Sequence, residues 1–134
     1  MKSIYWMIGA ALALLAVPSA QAQDGGPWSG PWETNQGRMH IEQDGDRARG
    51  DYDLKDGRVH GDVDGDVFRG VWSQSSAKRY CREERMGSHY WGRFNLRLSD
   101  DGRYFQGRWW YCEDDPNDGG EWTGHRPHHR RDWH

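Results

Sequence analysis

Three Asp-Gly dipeptides divide residues 38–74 into four short segments in which apolar and polar side chains alternate. They are Asp44-Gly45, Asp56-Gly57 and Asp64-Gly65. Asp-Gly between alternating segments is a strong hairpin signal, because a type I′ turn needs a positive φ that glycine adopts readily. Strands joined by such short turns are antiparallel neighbours. This stretch therefore predicts an antiparallel β-meander.

The alternating pattern extends on both sides and predicts about eight strands. We expect an all-β, antiparallel up-and-down meander that forms either a small barrel or a strongly curved sheet. The long charged loop at residues 75–89 could contain a short helix at 77–86, ended by Gly87. The predicted strands cover residues 27–34, 38–43, 46–53, 58–63, 66–74, 90–98, 103–111 and 120–126.

Alternation also sorts the side chains onto two faces of the sheet. One face collects large apolar side chains and a glycine in seven of the strands, while the other face is charged. Glycine beside aromatic rings lets a sheet coil tightly and lets a neighbouring ring cover the bare backbone. The side chains expected inside are Trp28, Trp32, Met39, Ile41, Ala48, Tyr52, Val59, Val63, Phe68, Trp72, Tyr90, Phe94, Leu96, Leu98, Phe105, Trp109, Tyr111 and Trp122.

The N-terminus has the pattern of an export signal. Lys2 precedes an apolar run that is too short to span a membrane, and Ala20-Gln21-Ala22 has the small-x-small spacing of a cleavage site. We expect residues 1–22 to be a signal peptide, 23–126 to be one β-meander domain, and 127–134 to be a disordered His- and Arg-rich tail. The expected location is secreted or periplasmic, with no transmembrane segment after cleavage.

Two cysteines in an exported chain predict one disulfide, between Cys81 and Cys112. In the predicted register Tyr90 lies near Tyr111, which brings Cys112 toward the loop that contains Cys81. The formal net charge of −3 argues against a nucleic-acid binder.

Gly30-Pro31-Trp32, the following residues 35–41, and Gly50-Asp51-Tyr52 resemble the opening of avidin-type barrels and, more broadly, the calycin group that includes the lipocalins. In that group an arginine of the last strand covers the tryptophan of the Gly-x-Trp motif. The resemblance implies a barrel in which Trp32 and Arg126 have these structural roles. It implies no particular ligand, because Thr34 and Arg38 depart from the biotin-contacting pattern.

Trp91, Tyr104 and Trp110 interrupt the polar face on two adjacent strands. An exposed aromatic patch of this kind is typical of a surface that binds a protein or stacks on a sugar. The alternative is that the loop at 75–89 folds over these side chains. We expect an exported, non-catalytic protein that binds an envelope or extracellular protein or glycan through this patch.

Two alternative functions remain open. The C-terminal histidines His125, His128, His129 and His134 could bind a metal ion, although the intervening arginines oppose a cation and a solvated tail explains them as well. Eight strands could also enclose one small ligand, as in calycins, or simply fill with side chains. The sequence contains no organised catalytic motif, so we expect neither an enzyme nor a cofactor.

Overall fold

The structure, a computed structural model, describes residues 25–128. Eight antiparallel strands follow one another around a closed barrel, each paired with its sequence neighbours. The predicted all-β meander is confirmed, and of the two predicted shapes the barrel is the one that forms. The strands are β1 (Gly30–Thr34), β2 (Gly37–Asp44), β3 (Arg47–Tyr52), β4 (Gly57–Asp64), β5 (Val67–Gln74), β6 (Tyr90–Leu98), β7 (Tyr104–Tyr111) and β8 (Gly120–His125).

The predicted signal peptide at 1–22 and residues 129–134 of the predicted tail lie outside the described residues. Pro127 and His128, at the start of that tail, have no regular secondary structure. Within residues 25–128, no helix has the length and apolar character needed to span a membrane.

Two of the three Asp-Gly turns form as expected. Gly45 and Gly65 have φ values of 66° and 62°, which glycine adopts without strain. The third turn differs, because Lys55 and Asp56 take the positive φ values, 50° and 56°. Gly57 instead begins β4, where a side chain would overlap the ring of Tyr52. That glycine therefore makes room for a core ring.

The predicted inward face forms the core of the barrel. Six large rings fill its middle, in contacts such as Phe68–Phe94 at 4.8 Å and Trp32–Phe105 at 5.1 Å between ring centroids. A side chain at Gly124 would overlap the ring of Phe105, so this glycine lets the ring lie against the backbone. The six rings belong to Trp28, Trp32, Phe68, Phe94, Phe105 and Trp122.

Trp28 and Arg126 close one end of the barrel, called the closed end below. Trp28 is fully buried and lies before β1, where its backbone N–H donates to the Gln43 side chain near the end of β2. The guanidinium of Arg126 lies 3.9 Å from the ring centre of Trp32 and donates to the carbonyls of Pro27 and Pro31 at 2.7 and 3.0 Å. Arg126 therefore covers one face of the Trp32 ring and joins the end of β8 to the start of β1.

The seam between β1 and β8 closes the barrel with few strand pairs. Only Glu33↔His125 and Thr34↔Gly124 are in register there, whereas β5 and β6 share eight pairs. Asn35 extends the seam: its side chain donates to the Glu121 carbonyl at 2.9 Å and accepts from the Thr123 N–H at 3.1 Å. Side-chain hydrogen bonds thus take the place of missing ladder bonds.

Residues 75–89, here called the strap, connect β5 to β6 across the outside of the barrel. The predicted helix at 77–86 is wrong, because no helix forms in this segment. The Cys81–Cys112 disulfide joins the strap to the end of β7, with the Cα atoms 5.6 Å apart, and confirms the predicted pairing. Val71, Trp91 and Cys81 form a second, smaller core beneath the strap. These tertiary contacts outweigh the weak helical preference of the segment.

Candidate functional site

Trp91 is not exposed. Only 2% of its surface is accessible, because the strap covers it. Its indole N–H donates to the Glu83 carbonyl at 2.7 Å, and the guanidinium of Arg85 lies 4.7 Å from the ring centre. The expectation that Trp91 points into solvent is therefore wrong, and the alternative, a covering loop, is what the structure contains.

The other two residues of the predicted patch lie far from each other. Tyr104 begins β7 and is 57% exposed, whereas Trp110 is half-buried near the end of the same strand, opposite Arg93. They are six positions apart along an extended strand, which corresponds to about 20 Å. Trp91, Tyr104 and Trp110 therefore do not form one continuous surface.

The two described histidines of the predicted metal site, His125 and His128, are exposed, with ring centres 6.5 Å apart. Among residues 25–128, no group of three or more His, Cys, Asp or Glu side chains could hold a metal ion. His129 and His134 lie outside the described residues, so metal binding by the tail stays a prediction.

The end of the barrel opposite Trp28 contains an open cavity, here called the mouth. Its volume is about 540 Å³. Five aromatic residues line it: Tyr52, Trp72, Trp109, Tyr111 and Trp122. The rim comes from the β1–β2 turn, the β3–β4 turn, the end of β5 and the strap, and consists of Gln36, Leu54, Lys55, Gln74, Ser76, Ala77 and Lys78.

Three of the mouth rings pack edge to face. The ring centres of Trp72 and Trp109 are 5.9 Å apart at an angle of 89°, and those of Trp109 and Tyr111 are 5.1 Å apart at 86°. Trp72 and Trp122 are buried, whereas Trp109 and Tyr111 are half-buried. The mouth thus has a buried aromatic floor and a wall whose rings are partly accessible. Because the rings hold one another in place, the wall exists before any ligand arrives.

Polar groups around the mouth are largely paired within the protein. The Tyr52 hydroxyl donates to the Gln74 side chain at 2.8 Å, and Gln74 donates to the Ser76 carbonyl at 2.9 Å. Burial raises the pKa of Tyr52 above its ordinary value, so its hydroxyl stays neutral. Trp72 donates its indole N–H to the Trp110 carbonyl at 3.2 Å. The indole N–H of Trp122 is buried and has no acceptor in the described part of the chain.

Contacts between the strap and the barrel hold the rim in shape. The Lys55 carbonyl accepts from the Ser75 N–H at 2.9 Å and from the Ser75 hydroxyl at 3.1 Å, which joins the β3–β4 turn to the start of the strap. Arg79 lies 5.2 Å from the ring centre of Tyr111 and forms an ion pair with Asp114. The rim therefore depends on the same segment that covers Trp91.

A second groove, of about 780 Å³, lies outside the barrel between the β3–β4 turn and the strap. Its walls include four carboxylates and the exposed ring of Tyr80, which stacks on His89 with ring centres 4.5 Å apart. Tyr90, expected inside the barrel, packs edge-on against Tyr80 here and does not belong to the main core. This groove is more polar and more open to solvent than the mouth. The carboxylates are those of Asp51, Asp53, Asp56 and Glu84.

The alternating pattern predicts that the mouth rings lie inside the barrel, but it does not predict that they line a binding site. Trp72, Trp109, Tyr111 and Trp122 all follow the inward alternation, which suggested that they fill the barrel. Leu54-Lys55 and Ala77-Lys78 lie in the two segments that flank this end of the sheet, but dipeptides of this kind do not predict a site. The chain matches no protein-family model, and a search of curated proteins finds no significant match.

Proposed function

We propose that this is an exported, non-catalytic binding protein that holds a small molecule in the mouth of its barrel. The observation that carries the proposal is the cavity of about 540 Å³, lined by five aromatic residues, at one end of a barrel that is otherwise filled. Small-molecule sites are typically concave, largely apolar and about 300–1,000 Å³ in volume. The mouth meets each of these conditions.

The arrangement of the rings indicates what kind of molecule would fit. Perpendicular rings offer a face from one residue and an edge from the next, so a flat or branched apolar group can contact both. Trp109 and Tyr111 are half-buried, and binding would remove their remaining surface from water. The main gain is therefore hydrophobic, with orientation set by the few polar groups at the rim.

Export is supported by the disulfide, which is typical of proteins that fold in oxidising compartments, together with the signal-like N-terminus. Among the described residues, those that line the mouth include no carboxylate, histidine or cysteine, so the proposal assigns binding there and no reaction. We do not extend it to a surface of Trp91, Tyr104 and Trp110, because Trp91 is buried and the other two lie toward opposite ends of β7.

The test is titration with N-phenyl-1-naphthylamine, a neutral probe that fluoresces in apolar sites. We expect saturable binding to the wild-type protein and about tenfold weaker binding to Trp109→Ala, because one wall of the mouth is lost. Tyr104→Ala is the matched control, since it removes an exposed aromatic ring on the same strand outside the mouth.

Circular dichroism and the thermal midpoint of each variant establish that both remain folded. Absence of saturable binding to the wild-type protein would contradict the proposal. An equal loss of affinity in Tyr104→Ala and Trp109→Ala would contradict it as well, because the probe would then be reporting general surface apolarity.

A further inference from the structure

We propose that the ligand of the mouth is an amphipathic anion, whose apolar part enters between the rings while its carboxylate, sulfonate or phosphate group is held by Lys55 and Lys78. This inference rests on the proposed function and specifies the class of ligand. It comes from the charge of the rim, which differs from that of the rest of the chain.

The rim is cationic in an otherwise acidic protein. The chain has 21 Asp and Glu residues and a formal net charge of −3, yet none of the carboxylates within residues 25–128 lines the mouth. The chain has three lysines, at positions 2, 55 and 78, and the last two both line this cavity. The neighbouring groove outside the barrel is acidic on balance, with four carboxylates and one guanidinium, that of Arg58, in its walls.

Neither lysine has an acidic partner in the described part of the chain. The ion pairs found among residues 25–128 all use arginine, and none involves Lys55 or Lys78. Arg79, next to Lys78, is paired with Asp114. The two ammonium groups are therefore available to a ligand, whereas the adjacent guanidinium already has a partner.

The two lysines come from separate segments that meet at one cavity. Lys55 lies in the β3–β4 turn and Lys78 in the strap, and Leu54 and Ala77, which precede them, line the same mouth. Each side of the rim thus presents an apolar contact beside a positive charge. An ammonium on a flexible stem suits anions of several shapes, because it acts as a compact point charge.

Two probes that differ mainly by one sulfonate test the inference. These are 8-anilinonaphthalene-1-sulfonate and its neutral counterpart, N-phenyl-1-naphthylamine. We expect the sulfonate probe to bind wild-type protein more tightly. We expect Lys55→Gln/Lys78→Gln to weaken it about 5- to 20-fold, since an exposed ion pair contributes about two- to fivefold. The neutral probe should bind that variant unchanged, and added NaCl should weaken only the sulfonate probe.

Arg47→Gln/Arg49→Gln is the matched control. It makes the same change in net charge on exposed residues of β3 that do not line the mouth. An equal loss of sulfonate affinity in this control would overturn the inference, because overall charge would then explain the effect. Unchanged sulfonate binding to the lysine variant would overturn it too, while leaving the proposed function intact. If the neutral probe does not bind wild-type protein, the proposed function itself fails.

Discussion

The two ends of the barrel use the same residue types in opposite ways. At the closed end Trp28 and Trp32 are fully buried, and the Trp32 indole donates to the Trp28 carbonyl at 2.9 Å beneath the guanidinium of Arg126. At the mouth Trp109 and Tyr111 are only half-buried, and Arg79 of the strap lies 5.2 Å from the ring centre of Tyr111. Tryptophan stabilises the fold at one end and leaves an accessible wall at the other.

The path of the chain explains the difference. Residues before β1 cross the closed end and bring Trp28 into the core. The strap contributes Ser76, Ala77 and Lys78 to the rim of the mouth. Beyond them the disulfide holds Cys81 beside Cys112, where the second small core lies against the outside of the barrel, and this part of the strap covers Trp91.

The largest expected contrast between the ends is in stability. Trp32→Ala should lower the free energy of unfolding by about 3–5 kcal/mol, because it leaves a cavity beside Phe105 and removes the partner of Arg126. Trp109→Ala should cost only about 1–2 kcal/mol, since its ring is partly exposed already. Urea denaturation measures both. Equal losses would mean that the mouth is as much a part of the core as the closed end.

Removing the disulfide should loosen the strap. Cys81→Ser/Cys112→Ser should lower the free energy of unfolding by about 3–4 kcal/mol on the chain-entropy model. It should also make Trp91 accessible to acrylamide, which quenches tryptophan fluorescence. The contribution of Trp91 is the difference in quenching between this variant and the same variant carrying Trp91→Phe. If quenching of Trp91 stays at the wild-type level, the remaining strap contacts keep Trp91 covered without the disulfide.

Substitutions of Arg126 measure how much this residue stabilises the closed end. Arg126→Met keeps the apolar stem but removes two hydrogen bonds to the Pro27 and Pro31 carbonyls and the contact with the Trp32 ring. We expect a loss of about 2–3 kcal/mol in thermal or urea unfolding. Arg126→Lys should recover only part of it, because lysine lacks the planar fork. Binding at the mouth should change in neither variant.

The smallest expected effect concerns pH. Hydrogen bonding from Arg93 lowers the pKa of Glu113 below its ordinary value of 4.5. A lowered pKa in the folded state means that this carboxylate stabilises the fold above pH 4.5 and that the stabilisation is lost as pH falls through the folded value. Because Glu113 is exposed, the effect should be slight. Between pH 7 and pH 3, the thermal midpoint of Glu113→Gln should fall less steeply than that of the wild-type protein. Parallel plots of midpoint against pH for the two proteins would contradict this.

The strands and their faces could be predicted because alternation and turn chemistry are local. Asp44-Gly45 and Asp64-Gly65 mark turns that form, and Trp72 and Phe94 point inward as the pattern requires. Even at the Asp56-Gly57 turn, where the glycine has another role, the position of the turn was right. Local signals of this kind specify the meander before any distant contact forms.

What alternation cannot predict is what covers each face. Trp91 alternates outward as expected, but a segment bound through Cys81 lies over it. The helix expected at 77–86 failed for the same reason, because distant contacts hold that segment. The mouth was not predicted for a related reason. Alternation places a ring inside the barrel, but it does not tell whether that ring packs in the filled core or lines a cavity at one end. That distinction depends on the route of the strap in three dimensions.

The sparse seam between β1 and β8 has a consequence for truncated chains. It joins the first and the last strands of residues 25–128, which are far apart along the chain. A chain that ends before Gly120 would leave the edges of both β1 and β7 without a partner, and unpaired edges recruit other chains. We therefore expect a chain truncated before β8 to associate with other chains through these two edges.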